Sequence, residues 1–317
     1  MLTFRLLLIL LSMSFLLQGC SPQQEPLRLG TNLWLGYEPF YIAREKGWFQ
    51  EDQVRILEFS SSMDVMRGLR AGTLDAGALT LDEALLLAAH VPDLRIGLIL
   101  DYSNGADALL ARSGIQQVEA LRGKKVGVEN TGTGSYVLSR ALASAGMTLA
   151  DIKVTAVSYD EHLEAFRKNR VDAIVTYEPA RSELMKEGAT SLFDTRRIPG
   201  EVIDVLVYRK ATPALSLANL AEGWCKATQY QRRNPVQFVS LVQSRQRLPI
   251  NDLNQGLSDI HLVDCIENQS LFHSERANLI RQAQRLEQHL KTVFPDEQVA
   301  PMSKIMAPLA LPAKDAS

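Results

Sequence analysis

The chain lacks the marks of several common protein classes. Its 317 residues include three cysteines, none in a C-x-x-C pair, too few for a disulfide scaffold and ill spaced for structural zinc. Five histidines form no H-E-x-x-H, no lysine follows a serine by three positions, and there is no G-x-S-x-G elbow. The common signatures of metalloproteases, serine hydrolases and β-lactamase-like enzymes are therefore missing. There is no basic excess either: 34 Lys+Arg stand against 36 Asp+Glu, a net charge of −2, which argues against nucleic acid as a partner. What is present is ordinary, with 46% apolar and 22% charged residues, the proportions of a globular protein. The length suffices for one large domain or two medium ones.

The first residues stand apart. Arg5 precedes an apolar run from Leu6 to Leu17, too short for a bilayer that needs roughly 20 helical residues but suited to a signal-peptide core. It ends in Leu17-Gln18-Gly19-Cys20, which resembles the lipobox of bacterial lipoproteins. That resemblance implies cleavage before Cys20, acylation there (palmitate included) and attachment to a membrane by lipid alone. Ser21 resembles the residue that sorts such proteins to the outer membrane of Gram-negative bacteria. Residues 1–19 are thus read as signal peptide and 20–26 as lipidated cysteine and tether, on the periplasmic side. Cys225 and Cys265 either pair, as an exported compartment permits, or sit as separate buried thiols in apolar helical patterns.

From Leu27 onward strand-like and helix-like runs alternate, the pattern of an α/β protein. Pro39 opens a helix that Gly47 closes, and Ser61 or Ser62 caps another that ends at Gly72. The unit then recurs. Leu69-Arg70-Ala71-Gly72-Thr73-Leu74-Asp75-Ala76 aligns with Phe166-Arg167-Lys168-Asn169-Arg170-Val171-Asp172-Ala173. In both, a Gly or Asn tolerant of the left-handed conformation turns a helix end into a strand. Two similar α/β lobes make a cleft, and clefts between domains bind ligands.

Trp34-Leu35-Gly36-Tyr37-Glu38-Pro39-Phe40-Tyr41-Ile42-Ala43-Arg44-Glu45-Lys46-Gly47-Trp48-Phe49 closely resembles the opening of periplasmic solute-binding proteins of the sulfonate, taurine, nitrate and thiamine-pyrimidine type. Leu121-Arg122-Gly123-Lys124-Lys125-Val126-Gly127-Val128 and Asp172-Ala173-Ile174-Val175-Thr176-Tyr177-Glu178-Pro179-Ala180 resemble two further hallmarks. The resemblance implies a type II periplasmic-binding-protein fold, two α/β lobes joined by two hinge crossings. These are expected near Leu110 to Ser113 and Asp204 to Arg209. Lobe 1 is then 27–111 plus 209–295, lobe 2 is 112–208, and 296–317 is a peripheral tail. The resemblance further implies capture of a small organic ligand by hinge closure and delivery by a monomer to an ABC permease. The alternative is a sensor that presents its closed form to a membrane receptor. A less favoured alternative is a pyrimidine-synthase-like enzyme, whose Cys-rich motif is not found here. No catalytic residue, metal or cofactor is expected.

The most informative loop is Glu129-Asn130-Thr131-Gly132-Thr133-Gly134-Ser135, followed by a helix. Free N–H groups and the positive dipole end at a helix start favour an anion. Thr131, Thr133 and Ser135 can add donors, and Gly132 and Gly134 let a ligand near the backbone. A dinucleotide loop is disfavoured, because Val137 stands where the third glycine would be and Asp151 precedes the next strand. Trp34 and Tyr37 lie where the resemblance implies aromatic ligand walls. Thr80 with Asp82, and Tyr177 with Glu178, end strands in the two lobes, where open α/β sheets bind ligands. Asp82 and Glu178 serve equally well as first-turn acids. Ser60, Ser61 and Ser62, with Tyr159 and Asp204, complete the candidates at similar element ends. Acids and hydroxyls without a clear Arg or Lys point to a zwitterion or an amine- or pyrimidine-bearing ligand, since a bare dianion would usually recruit a guanidinium.

Overall fold

The computed structural model describes residues 25–50, 52–129 and 132–312. The signal-peptide, Cys20 and Ser21 expectations, and Thr131, lie outside the described residues. Strands β1 (Leu27–Asn32), β2 (Val54–Phe59), β3 (Ala76–Thr80), β4 (Leu94–Ser103), β10 (Ile203–Arg209) and β11 (Ile260–Leu262) form one sheet, in the order β11-β4-β10-β3-β1-β2. A second sheet holds β5 (Ala108–Ala111), β6 (Lys125–Val128), β7 (Lys153–Ala156), β8 (Ala173–Thr176) and β9 (Thr190–Asp194), in the order β7-β6-β8-β5-β9. The fold is the two-lobed α/β architecture of periplasmic binding proteins.

The sequence repeat is a structural one. In each lobe the first strand of the unit lies between the other two in parallel (β2-β1-β3 and β7-β6-β8), and an antiparallel strand adds beside the third. Helix α2 (Ser62–Ala71) ends at Gly72 with φ 74°, and after helix α5 (His162–Arg167) Asn169 has φ 55°. Both turns use the left-handed conformation that the aligned Gly and Asn tolerate. Ser61 caps α2 by accepting from the Asp64 N–H.

The antiparallel strand beside each unit comes from the chain segment that crosses between lobes. β5 pairs with β8 and β9, and β10 pairs with β3 and β4. The crossings therefore run through residues 104–107 and 195–202. The expected positions, Leu110 to Ser113 and Asp204 to Arg209, fall at the end of β5 and inside β10. The lobe boundary at 111/112 moves earlier accordingly. A four-residue buried strand has no periodicity long enough to place it in one sheet or the other.

Helix α1 (Glu38–Glu45) packs against helix α7 (Ala214–Arg233), with the Phe40 and Trp224 rings 4.7 Å apart. Glu38, fully buried at the start of α1, receives Arg245 Nε at 2.9 Å from helix α8 (Pro235–Gln246), which fixes the turn carrying Tyr37. The C-terminal segment is not peripheral. Met302 and Ile305 of a short terminal helix are buried, and Ala307 and Leu309 donate N–H bonds to Ile96 and Gly97 of β4. Tyr208 adds a bond to the Ala307 carbonyl.

Cys225 in α7 and Cys265 at the start of the helix Cys265–Phe272 form a disulfide, with Cα atoms 5.4 Å apart. It closes a loop with a sequence separation of 40, for which loop-closure entropy gives about 2–4 kcal/mol. Mild reduction, or Cys225→Ser, is expected to lower the melting temperature by several degrees. An unchanged melting curve would show that the bond leaves stability unaffected.

Candidate functional site

The carboxyl ends of the parallel strands of both sheets meet at one cavity. Asn32 and Thr80 follow from β1 and β3, and Glu129 and Tyr177 from β6 and β8. The free space at its centre is small, about 50 Å³. Trp34, just before the one-turn helix Leu35–Tyr37 that follows β1, and Tyr37 at its end supply aromatic walls from the first lobe. Tyr177 meets Trp34 edge to face at 5.5 Å from the second lobe. Val175 and Val202 give the cavity apolar patches.

Four carboxyl groups line this space. Each crossing delivers an aspartate where its strand begins: Asp107 just before β5 and Asp204 in β10. Glu83 arrives from the first turn of helix α3 (Leu81–His90), where it completes a capping box with Thr80. Its carboxylate accepts from Ser62 Oγ at 2.5 Å and from the Thr80 N–H at 3.1 Å. Glu129 closes the far side.

Behind the wall lies a further acid. Asp101 of β4 stands directly opposite Asp204 of β10 in the antiparallel register. Like charges so placed repel, which raises the affinity of the pair for a proton. Trp34 Nε1 donates to Asp101 at 3.2 Å. Burial and the neighbouring acid hold Asp204 well above the carboxylate range, and burial pushes Asp101 up to about 7. Burial likewise raises Asp107 to about 6 and Glu129 to about 8, the latter helped by the Glu83 and Asp107 charges. Desolvation without a paired cation is the common cause.

Asp82, the second carboxylate expected at the cleft, serves the protein instead. Thr133 Oγ1 from the second lobe lies 3.0 Å from Asp82 Oδ1 and 2.7 Å from Thr80 Oγ1. A Cβ added to Gly132, the first residue of helix α4 (Gly132–Ser144), would overlap the Asp82 carboxylate. The helix start read as an anion seat thus faces an acid of the opposite lobe. Burial raises Asp82 to about 7.

Of the other candidates, Trp34, Tyr37, Thr80, Thr133, Gly134, Tyr177 and Asp204 line the cavity. Ser61 does not, because its side chain is the α2 cap; Ser62 beside it does. Tyr159 stacks behind Tyr177 at 4.3 Å. Glu178 turns away, accepting from Ser182 Oγ at 2.9 Å and lying near Arg181. Gly132 and Ser135 lie outside the lining. Sequence reasoning missed Asn32, Glu83, Asp107, Glu129, Val175 and Val202. Glu129 stood in the quoted loop, and Glu83 could have been found as the N3 acid after Thr80.

The lobes touch across the cleft. Besides Thr133 on Asp82, Arg181 pairs with Asp259 at 2.6 Å and Lys186 pairs with Asp252 at the rim. Ser139 Oγ meets His289 Nε2 at 2.8 Å.

Two α/β lobes enclosing a small polar and aromatic cavity define the binding-protein class of fold. Residues 21–237 match the NMT1-like family, and the chain belongs to it. A putative aliphatic sulfonates-binding protein of Bacillus subtilis (strain 168) is 33% identical over 203 residues, 59% of this chain and 60% of that protein. The taurine-binding periplasmic protein of Escherichia coli (strain K12) is 23% identical over 179 residues, 55% of this chain and 56% of that one. The matches thus span little more than half the length of these relatives. The alkanesulfonate-binding protein of Xanthomonas axonopodis pv. citri bound to MOPS superposes with a TM-score of 0.74 at 15% identity. That match covers 91% of this chain and all of the other. Among the described residues, no helix is long and apolar enough to cross a membrane.

Proposed function

We propose that this protein is an extracytoplasmic solute-binding protein that captures a small organic molecule between its lobes and delivers it to an ABC importer. The observation that carries the reading is the cavity itself. Both sheets turn the carboxyl ends of their parallel strands to it, and side chains from both lobes line it. A ligand touching both lobes favours the closed form by its differential affinity for that form. The names of the relatives support binding of an organic solute rather than catalysis. Cys20 would hold the protein to a membrane by lipid, and a monomer suffices because one chain supplies both walls of the cavity.

The test is thermal unfolding with a panel of taurine, alkanesulfonates, thiamine pyrimidines, amino acids and polyamines, followed by small-angle scattering. A ligand at 100 times its Kd stabilises by about 2.7 kcal/mol, a shift of several degrees. The same compound is expected to reduce the radius of gyration, and deleting the gene is expected to abolish its uptake. A panel with no shift and no compaction would count against the reading.

A further inference from the structure

We propose that the group this cleft recognises is a protonated amine, and that the ligand carries no sulfonate or other anionic end. The proposal rests on the solute-binding reading above and names the chemistry of that same cavity.

Three observations carry it. The first is an unanswered acceptor. Asp204 is 2% exposed and lines the cavity, and its Oδ1 has no hydrogen-bond partner. A buried carboxylate oxygen left without a donor is costly, and an N–H from a ligand would satisfy it. The second is charge. Among the described residues lining the cavity are four acids and no Lys or Arg. Arg181, whose charge reaches Asp107, is already held by Asp259 and lies beside Glu178. The third is the occupied anion seat. A sulfonate would be drawn to the start of α4, but the Asp82 carboxylate from the opposite lobe is packed there, bound by Thr133.

The aromatic walls fit the same ligand. Trp34, Tyr37 and Tyr177 offer ring surfaces to a cation, and Val175 and Val202 can take a short alkyl chain. Among the described residues no three His, Cys, Asp or Glu side chains are placed to share a metal ion, which favours an organic cation over a metal.

The bound cation changes the protonation of its surroundings. The groups facing Asp204 are Asp101 across the strand pair, Asp107, Glu83 and the Tyr37 hydroxyl, with the Arg181 guanidinium beside Asp107 and the His261 imidazole beside Asp101 farther out. These acids hold protons because no cation stands among them, so an arriving ammonium expels one or more. Binding is therefore expected to tighten as pH rises from about 6 to 8.

The experiment titrates the purified protein calorimetrically with a set matched in size and varied in charge: propylamine, 1,4-diaminobutane, taurine, propanesulfonate and calcium. Each titration is run in two buffers of different ionisation enthalpy. The expected result is that an amine binds with buffer-dependent heat, showing proton release, and that Asp204→Asn weakens it at least tenfold. Proton release is read on the unaltered protein, so the test stands even if that variant folds poorly. Taurine, propanesulfonate or calcium binding in place of the amines would overturn the amine assignment while leaving the solute-binding reading intact. Amine binding unmoved by Asp204→Asn in a folded variant would also overturn it, because the ammonium would then sit elsewhere. If no probe binds, the amine assignment falls. If the wider panel is then also silent in melting and scattering, the solute-binding reading falls with it.

Discussion

Gly132→Asp is expected to hold the two lobes apart. Gly132 opens α4 in the second lobe, and the space its side chain would need is filled by the Asp82 carboxylate of the first. The new carboxylate would lie against a buried acid that already carries a raised affinity for its proton. Two like charges there, stripped of water, cost several kcal/mol. The contact lies between lobes and not within one, so the cost falls on closure and not on folding. Shifting a two-state equilibrium from 99:1 to 1:99 takes about 5.5 kcal/mol, and the repulsion is of that order. Small-angle scattering is expected to show a larger radius of gyration than in the unaltered protein, with a melting transition that stays cooperative. Affinity for any ligand bridging the lobes is expected to fall at least a hundredfold. An unchanged radius would show that the approach of α3 to α4 does not hold the cleft shut.

The second large effect is on stability against pH. Asp107, Asp82, Asp101 and Glu129 keep their protons in the folded protein up to about 6, 7, 7 and 8, and Asp204 beyond. In the unfolded chain the same groups lose their protons near 4. Folded-state values raised in this way give stability that is complete below the unfolded values and is lost as pH rises through the folded ones. Each carboxyl still protonated gives up about 1.4 kcal/mol per pH unit. His162, held down to about 4 by burial, acts in the opposite sense, but only below its ordinary value. Asp75 and Asp194 are raised by burial but lowered overall by Arg28 and Arg196, so they weaken the fold only in acid. The ligand-free protein is therefore expected to lose several degrees of melting temperature between pH 6.5 and 8.5. A saturating amine should remove most of that loss. A melting temperature level across this interval would contradict the buried, protonated state of the cluster.

How much of this was legible in the sequence differs from residue to residue. The alternation of strands and helices gave the class of fold. The left-handed turns at Gly72 and Asn169 are local devices, readable because each depends on one residue type. Thr80, Thr133, Tyr177 and Asp204 reach the cavity because each ends or begins an element, a position that local patterning marks. The acids Asp107 and Glu129 flank strands as well, but their role depends on where those strands pair. Asp107 counts only because β5 joins the second sheet, and Asp101 faces Asp204 only through a pairing about a hundred residues apart in the chain. The occupation of the α4 start by Asp82 is likewise a contact between lobes, invisible to spacing within either. That contact narrows the expectation of a zwitterion or an amine- or pyrimidine-bearing ligand toward the cation proposed above.

The placement of the two aspartates has a mechanical meaning. Asp107 ends one of the segments through which the chain passes between lobes, and Asp204 lies just beyond the other. If the lobes pivot on those segments, the charge being recognised sits beside the fulcrum, while contacts such as Lys186 with Asp252 join the lobes away from it in the chain. A displacement of a fraction of an ångström near the pivot becomes an excursion several times larger at the rim. The surface shown to a membrane partner would thus report neutralisation of a small charge cluster that the partner never touches.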